Sequence, residues 1–133
     1  MASILKAGAL IFKGKKLLIV RPKGKTFWIN AGGKYELGES AEDCLRRELQ
    51  EELQVEVKSV SHFKTYRQEK AAEDNPHPLI LELHIVEVEG QPQPSSEIEE
   101  IAWLDMKSFN SKKFKLNQSF NDVVPDLRKR GLL

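Results

Sequence analysis

The apolar positions of this chain fall mostly into short runs with a period of two, interrupted by one segment with a helical period. Residues 7–12 and 17–20 are apolar runs flanking Lys13, Gly14, Lys15 and Lys16, which predicts a β-hairpin. Phe27, Trp28 and Ile29 predict a short third strand that ends just before Gly32 and Gly33. Residues 55–66 are rich in β-formers. Over 79–88 Leu79, Leu81, Leu83 and Ile85 alternate with Glu82 and His84, which predicts a strand with two distinct faces. Glu73, Asp74, Asn75 and Pro76 break the chain before that strand, and the Gly90 to Pro94 stretch breaks it after. Residues 98–104 predict one more strand.

Two segments carry the helical period. Ala41, Leu45 and Leu49 recur at i, i+4, i+8 and form a buried stripe with Cys44 and Leu53, predicting a helix over 41–53. Ser40 and Asp43 have the spacing of a capping box at its start. Near the end, Phe120, Val123, Val124 and Leu127 share a helical face, with Arg128, Lys129 and Arg130 in a last turn before Gly131. Pro125 removes a backbone donor there, so that helix is expected to kink at Pro125 or start from it. About six strands and two helices predict one mixed α/β (α+β) domain spanning 1–133 rather than a doubly wound sheet.

Composition narrows the function. With 40% hydrophobic and 31% charged residues the chain has the make-up of a soluble globular domain. Its formal charge of +1 provides no bulk field for a nucleic acid polymer or an anionic membrane. No apolar run reaches the roughly 18 residues of a membrane span, and the first residues lack the pattern of a cleaved leader. Cys44 stands alone, which excludes an internal disulfide and suits a reducing compartment. The expectation is a cytoplasmic protein. Cys44 reads as core, and His62, His77 and His84 lack metal-ligand spacing.

The chemistry concentrates between residues 31 and 57. Glu48, Glu51 and Glu52 lie within one turn or two of each other on the predicted helix, and like charges at that spacing repel without structural return. A hard divalent cation would reverse the sign of that cost; a solvated acidic face is the alternative that the three acids alone leave open. Their surroundings extend the pattern. Gly33, five residues, Glu39, seven residues, then Arg47, Glu48, Leu49, Glu51, Glu52 and Val55 resembles the Nudix box, G-x5-E-x7-R-E-U-x-E-E-x-G-U, where U is a bulky aliphatic residue. Trp28 before the double glycine, and the stretch from Ser96 to Trp103, are similar to the flanks of that family.

The resemblance implies a Nudix-type α/β/α sandwich with a mixed central sheet, one catalytic helix and a C-terminal helix. It implies a Mg²⁺- or Mn²⁺-dependent pyrophosphohydrolase acting on a small nucleotide, as a monomer or homodimer. By position it makes Glu48 and Glu52 the main metal ligands, with Glu51 as a further ligand or catalytic acid and Gly32 as a carbonyl ligand. Arg47 pairs with Glu39 to hold the loop against the helix. Lys34 and Arg21 are candidates for the substrate phosphates, and Glu97, with Glu100 behind it, for a base or ligand outside the helix. Two positions depart from the family: Ala31 stands where Pro is common, and Gln54 where the box has Gly, a position that tolerates a side chain poorly if it needs positive φ.

Substrate is read outside the box. The Pro and Tyr typical of ADP-ribose and diadenosine polyphosphate hydrolases are absent from the positions around Glu69 to Ala72. Gly33-Lys34 followed by Glu36, Leu37, Gly38 and Glu39 is similar to the MutT-like subgroup. That implies a nucleoside triphosphate cleaved to a monophosphate and pyrophosphate. ADP-ribose, another nucleotide sugar or a dinucleotide is the alternative, and a non-catalytic nucleotide sensor ranks below both because all four box glutamates are present.

Overall fold

The structure is a computed structural model and describes residues 2–133. Seven strands and three helices follow in the order β1 (Ile4–Leu10), β2 (Phe12–Lys13), β3 (Lys16–Pro22), β4 (Ala31–Lys34), α1 (Ala41–Leu53), β5 (Glu56–Gln68), β6 (Leu79–Glu89), β7 (Ile98–Leu104), α2 (Met106–Asn110) and α3 (Phe120–Lys129). A four-stranded mixed sheet has the order β4-β1-β6-β5, with β1 and β6 parallel. A three-stranded antiparallel sheet has the order β2-β3-β7.

Two apolar clusters fill the space on either side of the strands. One joins Cys44, Leu45, Leu49 and Leu53 of α1 to Ala7, Ala9, Ala31 and Val86 of the mixed sheet and to Leu18, Val20 and Ile98 of the smaller one. The other joins Phe120, Val123, Val124 and Leu127 of α3 to Leu10, Leu17, Ile19, Leu81 and Leu83. Helix, strands, helix is the expected sandwich. Among the described residues no helix is long and apolar enough to cross a membrane.

The hairpin at residues 13–16 forms, but its first arm is the two-residue β2, pairing Phe12 with Leu17 and Lys13 with Lys16. The longer run before it leaves for the other sheet, because β1 needs partners on both edges and finds β4 and β6. The strand expected at Phe27 to Ile29 reduces to isolated bridges from Trp28 and Ile29, and the glycines themselves form β4 instead. On β6 the two-faced reading fails at His84, which is buried opposite His62, because this central strand is covered on both faces.

Helix α1 begins and ends as its sequence dictates. The Ser40 hydroxyl accepts from the Asp43 N–H at 3.1 Å, and the Asp43 carboxylate accepts from the Ser40 N–H at 3.2 Å. Two features of the helices differ from expectation. The short α2, capped reciprocally by Asp105 and Ser108, has no apolar stripe to announce it. Pro125 lies inside α3, which starts earlier at Phe120. Its missing N–H forfeits one bond to the carbonyl of solvent-exposed Asn121, and the burial of Phe120, Val123, Val124 and Leu127 outweighs that loss.

Gln54 ends α1 in the left-handed conformation, with φ 56° and ψ 40°. A residue with a Cβ pays about 1–2 kcal/mol there, and glycine returns part of that through its unfolded-state freedom. Gln54→Gly is therefore expected to stabilise the fold by about 0.5–1 kcal/mol, raising the denaturant midpoint at constant slope. A lower midpoint would mean that the 3.3 Å bond from the Gln54 amide to Ser95 outweighs the backbone strain.

Candidate active site

The site is built where α1 packs over β4. Gly33 lies under the helix so closely that a Cβ on it would stand 2.4–2.7 Å from the carboxylate atoms of Glu48. One turn on, Glu52 Oε1 accepts the Gly32 N–H at 3.0 Å. Two adjacent glycines thus bring bare backbone against two acids from one helix edge.

Arg47 ties this arrangement to the preceding loop. Its Nε and Nη2 each donate to a separate Glu39 oxygen at 2.8 Å, Nη1 donates to Glu48 Oε1 at 2.8 Å, and Nη2 also reaches the Lys34 carbonyl at 3.1 Å. Glu39 in turn accepts the Glu36 N–H at 2.7 Å. The guanidinium, helped by that N–H, holds Glu39 down at about 2. Arg47 itself is pushed above its usual range, chiefly by Glu39. The forked donor geometry suits two carboxylates at once in a way that lysine could not match.

The acids are not equivalent. Burial pushes Glu52 up to about 8, against the opposing Gly32 N–H and with the neighbouring Glu48 charge adding to the rise. Burial also raises Glu48, partly countered by Arg47. Glu51 is 53% exposed in its side chain, and its one close cation is Arg47 at 4.0 Å. The three carboxylates share an edge, as expected, but among the described residues no three of them converge to ligand distance. Glu48 is turned to Arg47 and Glu52 to Gly32. The fit to a hard divalent cation rests on the donor chemistry: two carboxylates, both disfavoured in their charged form by burial, against glycine backbone with no side chain in the way.

The other sequence candidates are dispersed. Lys34 keeps an exposed side chain beside this site. Arg21 is engaged elsewhere, donating from Nε and Nη2 to Glu100 Oε1 at 3.1 and 2.6 Å and from Nη1 to the Lys25 carbonyl at 2.9 Å. Glu97 precedes β7 with an exposed side chain. Its loop is fixed to the end of α1, where the Ser95 N–H donates to the Glu52 carbonyl at 2.9 Å and the Gln93 N–H to the Leu53 carbonyl at 3.0 Å.

Sequence reasoning missed the groups beside the acids. Lys6 on β1 is partly buried; desolvation lowers its pKa, with Lys34 adding and the charges of Glu52 and Glu48 opposing. Lys6 also lines a cavity of about 210 Å³ whose walls include Phe27, Ile29, Leu79, Leu81, Asn30 and Asn117. A lone lysine in an otherwise apolar strand start was the one signal available. Tyr35 donates to Glu82 beside the loop, a contact across 47 residues that no local pattern could reveal.

A glycine-backed acidic helix edge, an Arg-clamped loop and an adjoining apolar cavity define a nucleotide-processing class of site. A family model described as the NUDIX domain matches residues 3–127, and the chain belongs to the Nudix family. The expectation of a Nudix hydrolase of mixed α and β structure is borne out at that level. The chain is 36% identical over 97 residues to a protein named NAD-capped RNA hydrolase NudC from Pseudomonas syringae pv. syringae (strain B728a), a match covering 71% of this chain and 33% of that one. The Pseudomonas putida KT2440 protein of the same name is 35% identical over 101 residues, covering 73% and 34%. The chain spans about a third of the length of these relatives. Among solved structures, that of the E. coli ORF135 protein is similar at TM-score 0.74 and 26% identity, covering 96% of this chain and 92% of that one. A structure described as MutT, from work on Aliivibrio salmonicida and Vibrio cholerae, superposes at TM-score 0.75 with 24% identity, covering 97% and 99%, a likeness of fold.

Proposed function

We propose that this Nudix domain hydrolyses the pyrophosphate linkage of a nucleoside triphosphate, releasing a nucleoside monophosphate and pyrophosphate. The observation that carries the reading is the juxtaposition through Lys6 of the Glu48–Glu52 edge with the cavity, which gives one nucleotide a place for its phosphates and a place for its base.

Glu48 and Glu52, with the Gly32 carbonyl, would hold the divalent cation that Nudix hydrolases generally use, Mg²⁺ or Mn²⁺, and exposed Glu51 is available to a further one. When bound, such an ion supplies charge neutralisation at the phosphates and an activated water. The chain's own residues do the positioning. Arg47 and Glu39 hold the loop and the Glu48 carboxylate in register, and Lys6 and Lys34 set positive charge beside the phosphate path. Glu97 is the carboxylate outside the helix best placed to serve as base or added ligand, because Glu100 is already taken by Arg21. The same pairing removes Arg21 from the phosphate contacts in this conformation.

A dinucleotide is the second reading, favoured by the names of the relatives, which act on NAD-capped RNA; it would also set aside the expectation that no RNA is bound. Steady-state kinetics on nucleoside triphosphates, ADP-ribose and NAD, each with Mg²⁺ and with Mn²⁺, separates the two. The expected result is a kcat/KM at least about tenfold higher for a triphosphate, a difference of about 1.4 kcal/mol in transition-state binding. A tenfold advantage for NAD or ADP-ribose over every triphosphate would overturn it.

A further inference from the structure

We infer that Asn30 is a specificity-determining residue that reads the hydrogen-bonding edge of a nucleobase in the cavity; the inference rests on the nucleotide reading above. Asn30 is 9% exposed and lines the cavity. Its Nδ2 is buried with no partner, and neither side-chain polar atom makes a hydrogen bond within the described residues. Buried amides are nearly always paired, and an unpaired one destabilises the fold. An apolar side chain of similar size would suit this position better in the free protein, so the carboxamide is a group kept without a partner inside a ligand-sized space.

The backbone fixes it there. Ile29 exchanges both backbone bonds with Val20, at 2.8 and 2.9 Å, and Ala31 pairs with Ala9 on β1, so Asn30 is held between two strand contacts. Around it Phe27, Ile29, Leu79 and Leu81 offer apolar surface to the faces of a flat ring. Asn117 stands on the cavity wall with its Nδ2 already committed to the Ala71 carbonyl at 3.1 Å and Ser119 Oγ at 3.4 Å. Its oxygen is the atom left for a ligand donor. Asn30, by contrast, has both a donor and an acceptor unspent, and rotation about its last torsion exchanges them. A carboxamide with both functions side by side matches a base edge that carries an acceptor next to a donor, the same complementarity by which Asn pairs with adenine. With the base held so, the phosphates leave past Lys6 toward Glu48 and Glu52.

The Asn30 side-chain amide can be followed directly by ¹⁵N NMR of the whole chain, without divalent metal, during titration with AMP, GMP, CMP, UMP and ribose 5-phosphate. At least one mononucleotide is expected to shift the Asn30 amide signals saturably, and ribose 5-phosphate is not. Asn30→Leu is expected to weaken that mononucleotide at least tenfold while leaving Tm unchanged or higher, which a packing role would not produce. The inference is overturned if no mononucleotide moves the Asn30 amide, if the Leu variant binds like the parent, or if its Tm falls along with its affinity. A parent that binds a mononucleotide through Asn30 but hydrolyses neither triphosphates nor NAD would leave this inference standing and remove the hydrolase reading; hydrolysis with a silent Asn30 amide would do the reverse.

Discussion

Glu52→Gln is expected to lower turnover of the preferred nucleotide by roughly 10²–10³ while the protein stays folded, the scale seen when one group that stabilises transition-state charge is lost. The substitution keeps the shape of the side chain and an oxygen that still accepts the Gly32 N–H, so the link between α1 and β4 survives. It removes the charge a divalent cation would require. In the metal-free chain it also removes an acid that burial already holds up at about 8, and an uncharged amide there spares the fold the ionisation of a buried group. Tm in the absence of metal is therefore expected to stay level or rise. Turnover at the parental rate with added Mg²⁺ would end the assignment of Glu52 as a ligand. Glu97→Ala, measured alongside, is expected to lower turnover with Tm unchanged, since its exposed carboxylate supports no packing; parental turnover would remove it from the mechanism.

How much of this was visible beforehand differs sharply along the chain. Helix α1 was legible to its ends, because period, cap and acid spacing are all local and agree. Left-handed Gln54 was foreshadowed by standing where the box has glycine. The Arg47–Glu39 clamp was implied by the same box and is found in the structure. What stayed hidden depends on contacts distant in sequence. The split of residues 4–22 between two sheets could not be read, since the hairpin signal is satisfied equally by a two-residue arm. The cavity draws Lys6, Asn30, Leu81 and Asn117 from four separate segments, and none of them has a pattern of its own. Pro125 misled because the local rule against it is strong, and only the buried face of α3 shows what overrides it.

The two glycines under α1 give the other large effect, and they are expected to fail in different ways. Gly32 has φ +131°, and a Cβ added to it would lie 2.1 Å from the Ala7 carbonyl oxygen and 2.9 Å from the Gly8 Cα. Both obstacles are backbone of β1, the strand that β4 pairs with, so neither moves without breaking the sheet edge. Gly32→Ala is expected to destabilise by about 3–5 kcal/mol, combining a strained backbone conformation with a clash that cannot relax. At Gly33 the added Cβ meets only the far end of Glu48, which swings away on flexible torsions. Gly33→Ala should therefore cost less than about 1 kcal/mol of stability, yet it displaces the carboxylate assigned to the metal, and a displacement on the scale of 1 Å lowers turnover by about 10²-fold. Denaturant unfolding and steady-state kinetics on both variants test the pair. Equal losses of stability would mean that Gly33 serves packing alone, and a fully active Gly33→Ala would show that the Glu48 position seen here is not the one used in catalysis.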